Sequence, residues 1–190
     1  MFKAYDRDTS YLLPPSVEDW VPASHLSRFV VDVVDRLDVS SITSAYSYRG
    51  ERGYHPSILL GLLFYGYATG SFSSRKIEEK TYTCLDFRYI SANQHPDHDT
   101  IANFRKRFLS ELKPLFLQIL VIASEMGISK IGKVSLDGTK IKANASKHKA
   151  LSYGHAEKLE KQLESEIADL MKKAQETDAA DEDTGMSIPE

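Results

Sequence analysis

The side chains of this sequence offer two kinds of chemistry. Arg75, Lys76, Lys80, Arg88, Arg105, Lys106 and Arg107 are positive charges that can neutralise phosphates, and Asn103 lies among them with an amide able to pair with a base edge. A solvated helix surface uses the same residue types. Asp137 sits beside Gly138 in an alternating stretch that also holds Lys133, Lys140 and Lys142. A strand carboxylate of this kind holds a divalent metal when partner carboxylates converge on it, yet Asp-Gly is also the preferred two-residue hairpin turn. His95-x-x-His98, with Asp97, Asp99 and Cys84, has a zinc-like look. It lacks the spaced ligands of a structural site and reads better as a loop and a helix cap. Nucleophile elbow, Walker loop and dinucleotide fingerprint are all missing from the sequence, which argues against classical hydrolase and nucleotide-binding chemistry.

Helices must position these groups. Pro14, Pro15 and Pro22 keep the early chain extended or turned, and apolar periodicity begins after Ser24, the expected N-cap, with Leu26, Phe29, Val30, Val33, Val34 and Leu37. A second helix is expected from Pro56 to a stop at Gly70, apolar on most faces and therefore central; Gly66-x-x-x-Gly70 within it reads as close packing. A third runs from about Ser74 to Thr83. The fourth follows Pro96, capped by Asp97 or Asp99, with Ile101, Phe104 and Phe108 inward, Asp99, Asn103 and Lys106 outward, and Arg107 to the side. A fifth, Leu112 to Met126, stops at Gly127. Lys133 to Lys142 alternates around its Asp-Gly turn and predicts a short strand pair. Tyr153 to Ala174 predicts a charged helix with Leu159, Leu163, Ile167, Leu170 and Met171 as its apolar seam, and Asp178 to Asp183 an acidic, mobile tail.

With 190 residues, 42% hydrophobic and 27% charged, the chain has room for one domain, or one small domain and part of another, and enough apolar residues for a core. The net charge of -3 conceals an asymmetry: residues 1–150 carry 20 Lys+Arg against 16 Asp+Glu, whereas residues 151–190 carry 4 against 11. One cysteine, Cys84, and an N-terminus without an apolar run point to a reducing cytoplasm. The most apolar stretch, Ile58 to Ala68, is far shorter than the roughly 20 residues of a membrane span, so no membrane partner is expected.

The motifs occur in a specific order. Gly53-Tyr54-His55-Pro56-Ser57-Ile58-Leu59-Leu60 is followed by Leu63-Phe64-Tyr65-Gly66-Tyr67, then Ser73-Ser74-Arg75-Lys76-Ile77-Glu78-Glu79 and Phe87-Arg88-Tyr89. Pro96-Asp97-His98-Asp99-Thr100-Ile101 and Phe104-Arg105-Lys106-Arg107-Phe108 complete the series. Together they resemble the InsH-like N-terminal domain of insertion-sequence transposases. Leu136 to Ser146 resembles the segment of those enzymes that carries the first carboxylate of a DDE triad, here Asp137, and residues 147–183 resemble the charged helical stretch after it.

The resemblance implies a mainly α fold, with a helix-turn-helix-like N-terminal domain, a short β-hairpin opening an RNase H-like domain, and a charged C-terminal helix. Its expected boundaries are an extension at 1–14, the DNA-binding domain at 15–127, the first strands at 128–146, and the helix with its acidic tail at 147–190. It further implies double-stranded DNA at transposon ends as partner, a homo-oligomer or full-length transposase as a possible second partner, and Mg²⁺ or Mn²⁺ at Asp137 in the complete enzyme. No second Asp or third Glu segment follows, so this chain by itself is expected to bind metal weakly and to lack catalysis. Two other readings stay open: a helical protein-interaction module, in which the Leu159–Met171 helix self-associates, and an inactive remnant without DNA binding.

Overall fold

Among the residues described by the computed structural model, 16–46, 53–126 and 153–183, the organising element is α4 (Pro56–Ala68). Leu59 to Tyr67 are buried without a break. A helix with no polar face has to be surrounded. His55 starts it, with Nδ1 accepting from the Ser57 N–H at 3.3 Å and Pro56 in the first turn, where its missing N–H has no helical partner to lose.

The other helices are α1 (Val17–Trp20), α2 (Leu26–Val34), α3 (Ser40–Thr43), α5 (Ser74–Thr83), α6 (Leu85–Ile90), α7 (His98–Arg107), α8 (Leu109–Glu125) and α9 (Tyr153–Asp183). α2, α5, α6 and α7 all pack on α4. α2 turns Val30, Val33 and Val34 inward, and α6 does the same with Phe87 and Ile90. The approach of α6 is close: a Cβ on Gly61 would lie 3.0 Å from Ile90. α7 and α8 meet at Phe108, whose backbone leaves the helical region, and α8 carries Leu112, Leu115, Phe116, Ile119 and Ala123 along one buried stripe.

α9 lies on α8 and α5. Its Ile167, Leu170, Met171 and Ala174, spaced i, i+3, i+4 and i+7, enter the same apolar cluster as α4 and α8. Burying the three larger side chains favours docking by roughly 4.5–9 kcal/mol before the entropy of ordering the helix is subtracted.

Several expectations need correction. Every regular element among the described residues is a helix and none is a strand, so their fold class is all-α. The β-hairpin over 133–142 and the RNase H-like opening at 128–146, Asp137 included, fall outside the described residues. The N-cap of α2 is His25, because its Nδ1 accepts from the Ser27 N–H at 3.3 Å, and Ser24 stands one place too early. The helix expected to end at Ala174 continues to Asp183. Its acidic end is not loose: Asp178 is 7% exposed and held by three hydrogen bonds.

Candidate nucleic-acid interface

α5 and α7 pack against each other and carry most of the basic groups. Ser73 caps α5, its Oγ accepting from the Lys76 N–H at 3.3 Å; Asp97 caps α7, its Oδ1 accepting from the Thr100 N–H at 2.7 Å and its Oδ2 from Thr100 Oγ1 at 3.0 Å. Burial opposes the charge of Asp97, but those bonds outweigh it and hold the carboxyl below its ordinary range. Glu78 ties the helices together, with Oε2 accepting from the His98 N–H at 3.0 Å and lying 2.6 Å from its Nδ1. His95, the other member of the zinc-like pair, lies 3.0 Å from Thr81 Oγ1 through Nδ1 and stacks on Tyr82 at 4.0 Å.

The predicted DNA contacts separate into three groups. Lys76, Asn103, Lys106 and Arg107 are exposed. Arg107 is nevertheless engaged: Nη2 donates to the Ala45 carbonyl at 2.8 Å, and the guanidinium lies 5.4 Å from the Tyr46 ring and 4.9 Å from that of Phe108. Arg75, Lys80 and Arg88 are half-buried. Arg75 lines a small cleft between the starts of the two helices with Ser74, His98, Asp99 and Ala102. Lys80 donates to Ser71 Oγ and sits over Phe87, and Arg88 donates to Asn93 Oδ1 at 3.1 and 2.7 Å. The solvent side is thus Lys76, Asn103 and Lys106, with Glu79 and Asp99 as exposed acids beside them.

Arg105 forms the third group alone. It was expected to contact DNA, and it is fully buried. Nη2 donates to Asp178 Oδ2 at 2.5 Å and Nη1 to the Tyr67 hydroxyl at 3.2 Å, while Nε–H finds no acceptor. Burial works against this charge, but Tyr67 and Asp178 outweigh it and the guanidinium holds its proton more tightly than usual. Tyr67 is in turn pushed up to about 12 by burial, with Arg105 opposing. The same Asp178 covers the start of α5: Oδ1 accepts from the Ser74 N–H at 2.7 Å and Oδ2 from Ser74 Oγ at 2.7 Å. Asp181, one turn on, accepts from Ser73 Oγ.

Sequence reasoning missed Tyr67, Ser73, Ser74, Asp178 and Asp181 as a unit. One signal was present. Ile101, Phe104, Arg105 and Phe108 follow the i, i+3, i+4, i+7 pattern, which puts Arg105 on the apolar stripe and demands a buried anion for it. Among the described residues no group of three or more His, Cys, Asp and Glu is placed to hold a metal. The described carboxylates therefore do not fit a two-metal set.

Residues 15–107 match the model of the family described as Transposase domain (DUF772). No curated protein and no solved structure matches the chain. The family match supports a function connected with transposition in general. Among the described residues, no helix is long and apolar enough to cross a membrane.

Proposed function

We propose that the chain binds duplex DNA in transposition, and that Lys76, Asn103 and Lys106 on α5 and α7 make the contact. What carries the reading is that these three side chains are exposed on two mutually packed helices inside the stretch that matches a transposase domain. The lysines neutralise phosphates and the Asn103 amide reads a base edge. Arg107 supports the surface by holding the chain near Ala45 and Tyr46. Asp137 is the residue we assign to metal-dependent strand transfer in a complete enzyme, on the resemblance of its segment alone. Self-association through the α9 seam is less well supported, since Ile167, Leu170 and Met171 are already covered within this chain.

The test is fluorescence anisotropy with a labelled element-end duplex over a salt series. Reversal of both lysines, Lys76→Glu with Lys106→Glu, should weaken binding at least tenfold at low salt and reduce the slope of log affinity against log salt by about 1.8, at about 0.9 per lost phosphate contact. In the same assay Asn103→Ala should lose about 1–3 kcal/mol of discrimination between matched and altered sites. Undiminished affinity of the doubly reversed protein at low salt would refute this surface.

A further inference from the structure

We propose that the start of α5, with Arg105 beneath it, is a phosphate-binding site, and that the acidic end of α9 occupies it in cis. Two carboxylates converge there on donors that suit a phosphate. Asp178 takes the Ser74 N–H, Ser74 Oγ and Arg105 Nη2, and Asp181 takes Ser73 Oγ. The start of a helix attracts anions through its unpaired N–H groups, and a fully buried guanidinium requires one.

The carboxylates leave this site incompletely filled. Arg105 Nε–H is buried with no acceptor, and a phosphate brings more oxygens than a single carboxylate. Asp178 and Asp181 also border the cleft beside Arg75, which gives an anion a way in. The means of attachment changes along α9. Ile167 to Ala174 are held by apolar burial, whereas Asp178 and Asp181 are held by charge and hydrogen bonds near the helix end, where fraying costs least. An incoming phosphate replaces like with like and leaves the apolar part of α9 in place. That this phosphate belongs to a nucleic-acid backbone rests on the DNA reading above; that the site takes phosphate does not.

The test uses the full chain with the near-isosteric pair Asp178→Asn and Asp181→Asn. Its first arm is thermal unfolding in inorganic phosphate against chloride at equal ionic strength and pH. The wild type should melt alike in both, because Asp178 and Asp181 of α9 occupy the site and their charge opposes an anion. The pair should melt lower in chloride and recover by about 5 °C in millimolar phosphate, as a ligand that binds only the folded state demands. Adding Ser74→Ala should remove the recovery. Equal melting of the pair in both salts, or the same recovery in the charge control Glu164→Gln with Asp169→Asn, overturns the proposal. Should the pair not fold, Asp181→Asn alone, which removes the charge facing Ser73 Oγ and keeps Asp178, should show the same recovery on a smaller scale, and its absence is equally fatal.

The second arm measures binding to a short duplex. The pair should bind about tenfold more tightly than the charge control, with a steeper salt dependence from the added phosphate contact. Phosphate recovery without this gain upholds the site and rules out the nucleic-acid backbone as its ligand. That result is separate from any failure of the Lys76 and Lys106 surface.

Discussion

Replacing Gly66 by alanine should destabilise the protein, although the same exchange in an open helix stabilises it. Gly66 lies in α4, where an added Cβ normally favours the helix by roughly 0.5–1 kcal/mol. Here that Cβ would meet Ile77 Cδ1 at 2.9 Å, Ile77 Cγ1 at 3.1 Å and the Ser71 carbonyl oxygen at 3.1 Å. Neither neighbour yields easily. Ile77 is fully buried, and Ser71 is pinned by its own N–H, which donates to the Gly66 carbonyl at 2.7 Å. Overpacking of this kind costs about 1–3 kcal/mol, so with the helix gain subtracted the net loss is centred on about 1.3 kcal/mol and reaches at most about 2.5 kcal/mol. At about 2–4 °C per kcal/mol for a chain of this size, the central value lowers the melting temperature by roughly 3–5 °C. The decisive comparison is with Ile77→Val, which removes the closest atom and by itself costs about 0.5–1.5 kcal/mol. In Gly66→Ala with Ile77→Val part of the clash is relieved, so the double variant should be more stable than the sum of the single losses by about 1 kcal/mol. Urea denaturation followed by circular dichroism measures all four proteins. Losses that add to within about 0.5 kcal/mol would show that Ile77 does not press on Gly66.

Tyr67→Phe should cost about 1–3 kcal/mol in urea denaturation, because it strands a second donor of the buried Arg105. Since burial raises the Tyr67 pKa to about 12, the wild type should lose stability as pH rises from about 10 towards that value, and Tyr67→Phe should lack this component. At the other end of the scale, Asp97→Ala should cost about 1 kcal/mol through loss of the α7 cap. The depressed pKa of Asp97 means that its contribution is present above about pH 3.9 and lost as pH falls through the folded-state value; Asp97→Asn should flatten that part of an acid titration followed by circular dichroism.

The parts of the fold legible in the sequence are those decided locally. Pro56 and Asp97 mark the starts of α4 and α7 because a first-turn proline or a capping oxygen acts within four residues. His25 was passed over for Ser24 because an imidazole nitrogen is a less usual capping acceptor than a hydroxyl. The acidic end of α9 was misread for a different reason. Nothing near Asp178 in sequence signals burial, since its partners lie 73 and 104 residues away. Yet Asp178 continues the stripe of Ile167, Leu170, Met171 and Ala174 at the next helical position, and Arg105 continues that of Ile101 and Phe104. Each charge is out of place on an apolar stripe without the other. On the solvent side, Asn103 and Lys106 were legible because polar residues opposite an apolar face have only one direction to point.

The distance along the chain between Asp178 and its partners also orders events during synthesis. A ribosome adding about 5–20 residues per second needs roughly 4–15 s to travel from Arg105 to Asp178. Helices α4 to α7 can form their mutual contacts in that interval, since those partners are already made. The face of α8 that α9 later covers stays bare, and Arg105 waits without its counter-ion. The nascent protein therefore passes through a stage that is helical but unfinished, when a helix-binding chaperone finds its best opportunity and premature self-association is most probable. Closure comes only as α9 leaves the ribosome.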